Sequence, residues 1–263
     1  MTKVVSSLII YPVKSLAGIN TVQANAMQAG FENDRRWMLL DENNVFLTQR
    51  DIPQMALFIP AINEDSLSVH FKKESISFDL KEMTGEIIST KVWDDIAETQ
   101  VVSKLAGDWF SDQLGRKIKL VKIKSELSRN HYSTLKHIDI SVSLADGYPY
   151  LLAGEESLNN LNTKLEKKVP MNRFRPNIVV TTTVAHEEDQ WENISIGGAV
   201  FKNMKPCGRC TIVTIDQTTG TSNYETLKVL NTYRKSGNSV LFGTNMMCTK
   251  EGKVTVGDII HLG

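Results

Sequence analysis

The chain has 263 residues, 41% of them apolar, with 16 glycines, and 30 Lys plus Arg balance 30 Asp plus Glu. This composition excludes a disordered, collagen-like or rod-like chain, and zero net charge removes any general attraction to nucleic acid or anionic lipid. No run reaches the ~20 apolar residues of a membrane helix, and Val4 to Ile10 is too short and too broken by Ser6 and Ser7 to read as a signal peptide. A soluble, cytoplasmic protein is expected.

Short β-type runs dominate the first half. Lys3–Ile10 is β-branched and apolar. Arg36–Leu40 and Val45–Arg50 flank the polar turn Asp41-Glu42-Asn43-Asn44 and predict a hairpin. Met55–Ile59, Leu67–Phe71, Ser75–Leu80 and Ile87–Val92 follow at the spacing of a sandwich or barrel. Lys104–Leu114 has helical periodicity through Leu105, Trp109, Phe110 and Leu114, with Gly115 as its stop. Lys117–Ile123 reads as a strand, and the polar stretch Arg129–Ile138 as a mobile loop. Glu155–Leu165 predicts a second helix with Leu158, Leu161 and Leu165 on one face. Asn177–Thr182, Ile194–Ile196, Ala199–Met204 and Thr211–Asp216 read as strands. A third helix is predicted over Tyr224–Lys235, opened by a Ser222/Glu225 capping box and closed near Gly237. Val254–Leu262 is the last strand. The expected architecture is mainly β (α+β), divided into a β-rich first domain at 1–122 and a barrel-like second domain at 123–263 with a few peripheral helices.

The three cysteines cannot all pair, and a chain this long needs no disulfide staples. Cys207-Gly208-Arg209-Cys210 is the segment richest in chemistry, and four readings compete for it. Zinc needs four ligands, and neither Cys248 nor the isolated His186 and His261 is spaced to complete a set. A thioredoxin-type dithiol needs a helix after the second cysteine, whereas Thr211–Asp216 has a β pattern. The pair could be two small residues packed beside a strand. Alternatively, one thiolate could bind a soft metal whose other ligands come from an organic chelate, with Arg209 as a neighbouring cation that favours thiolate. Cys248 is most simply a strand residue, and Trp37, Trp93, Trp109 and Trp191 are read as packing residues.

Lys14-Ser15, Arg35-Arg36, Arg50 and Arg173-Phe-Arg175 lie at strand ends or turns, where isolated arginines are usually surface or salt-bridged. Together they form a candidate anion site of bidentate guanidiniums, a Lys point charge and a hydroxyl donor. Neither a G-x-x-x-x-G-K-[ST] loop nor a G-x-G-x-x-G turn is present, so no nucleotide fold is indicated.

Tyr11-Pro-Val-Lys-Ser15, Asp34-Arg35-Arg36-Trp37, Arg173-Phe-Arg-Pro-Asn177, Lys205-Pro-Cys-Gly-Arg-Cys210 and Val256-Gly-Asp258 occur in one order. In this the chain resembles the MOSC superfamily, named for the C-terminal domain of molybdenum cofactor sulfurases. The likeness is closest to its amidoxime-reducing branch and runs from Leu8 to Gly263. It implies a MOSC-associated β domain packed on a MOSC barrel. It also implies a molybdenum-pyranopterin cofactor whose metal takes a thiolate from Cys210. Lys14, Ser15, Arg35, Asp146, Arg175 and Asn177 fall at the family's cofactor contacts. Gly208 and Asn245 occupy two further contact positions, where a serine and a tyrosine stand in other members. The activity implied is reduction of N-hydroxylated compounds (amidoximes, hydroxylamines, hydroxylated bases), with Cys210 as the catalytic ligand. Asp146 is a candidate general acid. Electrons would come from a separate iron–sulfur, flavin or haem protein, since no ferredoxin segment follows Gly263. The alternative is a carrier of molybdenum cofactor or sulfur that reduces nothing itself.

Overall fold

In the computed structural model, which describes residues 2–125 and 129–263, the first strand is Val5–Ile10. A bulge between Val5 and Ser7 shifts its register, so Val5 and Leu8, three residues apart, both face the core. Across one sheet the strands run Ile19–Thr21, Val5–Ile10, Ile178–Val180, Tyr150–Gly154, Ser239–Lys250, Ala199–Gly208, Asn193–Ile196 and Ile260–Leu262. A bridge between Val4 and Ile259 brings the last strand back to the first and closes the ring. Phe31, Tyr150, Leu152, Ile178, Phe201 and Met246 fill its interior. Tyr150–Gly154 and Ile178–Val180 are parallel, so the chain between them must cross over, and it does so through the helix Glu155–Asn162 and the short turn Met171–Phe174.

A second unit carries the sheet Trp37–Asp41, Ile118–Ile123, Asp95–Val101, Ile87–Val92 and the meander Ile59–Asn63, Ser66–Phe71, Glu74–Asp79. The helix Lys104–Leu114 closes its core of Trp37, Leu39, Phe58, Phe71, Phe110 and Leu120. Gly107 lets that helix seat on the sheet, because a Cβ there would lie 2.9 Å from the Ile118 carbonyl oxygen.

The mainly β class and all three helices match the expectation. Six local readings do not. Val254–Leu262 is not one strand: Gly252–Thr255 and Ile260–Leu262 are separated by a turn with Gly257 at a φ of 94° and pair with different strands. Met55–Ile59 is a 3₁₀ turn over Pro53–Leu57, favoured by proline in its first turn. Val45–Arg50 touches its neighbour only at the Leu40–Phe46 bridge before turning away. Thr211–Asp216 is a 3₁₀ turn over Thr211–Thr214. The capping box is absent, and the Glu225 amide donates to Asn223 Oδ1 at 2.9 Å. Arg129–Ile138 is no loose loop: Arg129 is fully buried, and Asn130–Ser133 pairs with Ile138–Ser141.

Strand pairing also links the two halves of the chain. Val5–Ile10 and Gln23–Met27 both pair with strands of the second half. Among the described residues, no helix is long and apolar enough to cross a membrane.

Candidate functional site at the seam of the two cores

After Ile10 the chain steps from one core into the other. Val13 and Leu16 belong to the second core, so Lys14 and Ser15 between them are held at the seam. The Lys14 amide donates to the Trp37 carbonyl at 2.7 Å. The Arg35 amide donates to Tyr11 O at 2.7 Å, and its own carbonyl accepts from Leu144 N at 3.0 Å. Ser15, Arg35 and Arg175 all have positive φ, of 66°, 49° and 55°. Such non-glycine conformations persist where neighbouring contacts over-determine them, and they collect at functional sites.

These segments surround a pocket of about 130 Å³, which opens into a cleft of about 650 Å³. Lys14, Ser15, Arg35, Asp146, Arg175, Asn177, Cys210 and Asn245 line the inner pocket, and Gly208 lines the cleft. The structure thus gathers every residue expected at the site. Five cations (Lys14, Arg35, Arg50, Arg175, Arg209) face one carboxylate, Asp146, so the pocket is built for an anion.

Lys14 Nζ donates to Leu144 O at 2.8 Å and to Asp146 Oδ1 at 2.5 Å. Burial lowers its pKa, opposed by the Asp146 charge. Burial pushes Asp146 the other way, but Lys14, Arg50 and a hydrogen bond from Trp93 together hold its carboxyl well below the usual carboxylate range. Asp146 thus stands on the pocket wall as the ion-pair partner of Lys14.

Arg35 Nη1 donates to Asp34 Oδ2 at 2.5 Å and to Asn177 Oδ1 at 2.8 Å. Asn177 also accepts from Leu151 N at 3.3 Å and donates to Ile9 O at 3.2 Å. Its amide is committed to the protein, and its work is to aim Arg35. The Tyr11 ring lies between two guanidiniums, 4.5 Å from Arg35 Cζ and 4.2 Å from Arg175 Cζ. Burial pushes the Tyr11 phenol up to about 12 against the pull of both arginines. Arg175 is only 9% exposed, and its Nη1 has no partner in the protein. Burial lowers its pKa to about 10. A buried, unpaired guanidinium donor on a pocket wall calls for an acceptor from outside the chain. Arg36 and Arg173, grouped with these in the sequence, turn elsewhere. Arg36 donates to Phe31 O at 3.5 Å, and Arg173 to Thr214 O at 3.0 Å and Asp216 at 2.9 Å.

Arg209 Nη1 donates to Cys207 Sγ at 3.0 Å, so the cation inside the motif serves the first cysteine. The cation beside Cys210 is Arg50, whose Nη1 lies 3.9 Å from the sulfur. Cys210 caps a 3₁₀ turn of four residues, which is no helix of the thioredoxin kind. Among the described residues no cluster of three or more His, Cys, Asp or Glu could hold a metal, so a metal here needs ligands from another molecule. Cys248 lies in the barrel core, where burial raises its thiol to about 11. Trp93 departs from its expected packing role: it is 49% exposed and lines the outer cleft with Tyr148 and His131. Nothing in the local sequence marks it, because its position follows from the tip of a hairpin.

A profile of the MOSC domain matches residues 139–261, and one of the MOSC N-terminal beta barrel domain matches residues 2–117. The mitochondrial amidoxime reducing component 2 of Bos taurus is 31% identical, over 98% of this chain and 82% of that protein. This chain belongs to the MOSC family, in its amidoxime-reducing-component branch. The human mitochondrial amidoxime-reducing component 1 is 29% identical, over 98% of this chain and 82% of that protein. The molybdenum cofactor sulfurase of Bos taurus is 31% identical, but this chain spans only 30% of its length. In this MOSC protein both matched segments build the pocket. The first supplies Lys14, Ser15, Arg35 and Arg50, and the second supplies Asp146, Arg175, Asn177, Cys210 and Asn245.

Proposed function

We propose that this MOSC protein binds a molybdenum-pyranopterin cofactor and reduces N-hydroxylated compounds, with electrons from a separate iron–sulfur, flavin or haem protein. The observation that carries the reading is one juxtaposition: Cys210 on the wall of a five-cation pocket that contains the unpaired Arg175 Nη1. The donor set fits the group. Lys14, Ser15, Arg35 and Arg175 would hold its phosphate and pterin, and Cys210 would give the metal its protein thiolate. When bound, the molybdenum centre supplies two-electron removal of oxygen from an N–OH group, taking up two protons and releasing water.

The protein's own residues perform the remaining tasks. Asn177 and Asp34 fix the direction of Arg35. The Tyr11 ring holds the Arg35 and Arg175 guanidiniums through cation–π contacts. Arg50 sets a positive charge against the Cys210 sulfur and compensates a thiolate there. The Lys14–Asp146 pair closes one wall of the pocket.

The test is metal and pterin content of protein co-produced with a cofactor-synthesis pathway, followed by turnover of an amidoxime with an artificial reductant. Stoichiometric molybdenum with turnover is expected. A cofactor-free preparation alongside a loaded control enzyme would overturn the reading. The carrier alternative draws on Cys207, half-buried in the cleft that Cys210 also lines; bound molybdenum without turnover would select it.

A further inference from the structure

The hairpin joining Ile87–Val92 to Asp95–Val101 ends on Trp93 and Asp94, which stand on the outer cleft. Trp93 has a φ of 59°, left-handed backbone that a bulky residue adopts only under constraint. Neighbours hold its ring: the Arg50 guanidinium lies 4.5 Å from the ring centre, and Phe46 meets the ring edge-on at 5.9 Å. An indole with a cation against it is nevertheless 49% exposed, on the cleft that Cys210 also lines. The opposite aromatic, Tyr148, has less to offer. Its hydroxyl meets Ser133 Oγ at 3.1 Å, and its ring is engaged by His131 at 5.6 Å and Lys205 at 5.2 Å.

Distance ties Trp93 to the reacting centre. Arg50 touches both the indole and Cys210 Sγ, which limits the separation of ring centre and sulfur to about 10 Å. A molecule with its N–O group beside Cys210 and a flat ring at the other end would lay that ring on Trp93.

We propose that Trp93 is the aromatic platform of the substrate subsite, and that it selects flat, ring-bearing N-hydroxylated substrates over small aliphatic ones. This rests on the reductase reading above. Aryl rings stack on an indole in offset or edge-on geometry, whereas a methyl-sized substituent gains little from it.

The experiment compares loaded wild type with Trp93→Ala and Trp93→Phe on benzamidoxime and acetamidoxime. The expected result is a fall of about tenfold in the aryl-to-aliphatic ratio of kcat/KM for Trp93→Ala, equivalent to about 1.4 kcal/mol. The loss should appear chiefly in KM, with the ratio largely restored in Trp93→Phe. Equal losses on both substrates would overturn the proposal and leave Trp93 a support for Arg50. The second readout is tryptophan fluorescence without reductant. Benzamidoxime should quench wild type more than Trp93→Phe, and equal quenching overturns the platform. If wild type turns over neither substrate, the reductase reading fails, and the quenching difference alone then decides whether Trp93 binds aryl rings.

Discussion

Replacement of Arg129 by methionine tests how the loop that carries Asp146 is held. Arg129 is fully buried and donates to the carbonyls of Ser143 (2.9 Å), Ala145 and Asp146 (2.6 Å), and to the Asp95 carboxylate at 2.8 Å. One guanidinium thus ties three carbonyls of the 143–146 segment to the hairpin below Trp93. Removing one partner of a buried ion pair costs about 3–5 kcal/mol, because the other charge and its acceptors are left behind. Asp95 is 17% exposed and keeps His131 at 3.2 Å, which places the loss at the lower end of that range. At about 2–4 °C per kcal/mol for a chain of this size, Arg129→Met should melt about 6–12 °C below wild type in scanning calorimetry. Arg129→Lys keeps the charge but not the fork, so it should fall between the two. A drop of less than about 2 °C for the methionine variant would refute the claim that this guanidinium anchors the site.

Four further outcomes follow from the geometry. Cys210→Ser should lose bound molybdenum while Cys207→Ser retains most of it, measured as metal per chain; equal loss would mean that the two sulfurs act as a unit. Arg175→Met should keep the fold but reduce cofactor content at least about tenfold, since a charge-assisted pair to an anion is worth about 1.5–3 kcal/mol; unchanged content would show that Nη1 faces no ligand. In Gly18→Ala the added Cβ would sit 2.6 Å from both Ile9 Cγ2 and Tyr11 Cε1, so the Tyr11 ring must move from between its two arginines. That variant should lose about 1–3 kcal/mol in urea unfolding together with part of its cofactor, and loss of stability alone would uncouple Tyr11 from binding.

The fourth outcome concerns acid. Burial, then Arg234, pushes the His186 imidazole down to about 4. The unfolded chain takes up a proton near its ordinary value of about 6.5 that the folded chain refuses, so stability is lost as pH falls between those values. Glu188 and Asp189, raised by burial, act in the opposite direction and flatten the net curve. Allowing for partial solvent screening, His186→Phe should lose about 1–2 kcal/mol less than wild type on acidification through that window. Parallel curves for the two proteins would refute this.

What the sequence made legible was local. Lys104–Leu114 carries its own periodicity and its own stop, and the helix has the expected ends, with Gly115 left-handed at φ 65°. The cysteine pair and the three basic turns could be picked out because each is a compact run. What stayed hidden depends on contacts between distant parts of the chain. Ser239–Lys250 is the longest strand, yet Gly243 and Asn245 interrupt its apolar pattern, and it holds because Tyr150–Gly154 and Ala199–Gly208 flank it. Thr211–Asp216 alternates like a strand, but it pairs through the single Ile215–Ser222 bridge, and Thr211–Thr214 curls into a turn. The pairing of Arg50 with Cys210 spans 160 residues and has no local signature. Arg129 reads as part of a mobile loop because its four acceptors lie on other segments.

The strand Val5–Ile10 is made well before its partner Ile178–Val180 and the closing bridge at Ile259. At ribosomal rates of about 5–20 residues per second, that strand waits roughly ten to fifty seconds with an apolar edge unpaired. Lys14 and Arg35 wait with it, because Cys210 emerges late. The lining of the pocket is therefore complete only once Asn245 has been made. Once there, a group that touches Lys14, Arg175 and Asn245 together ties segments far apart in the chain, so loading and resistance to unfolding must rise together.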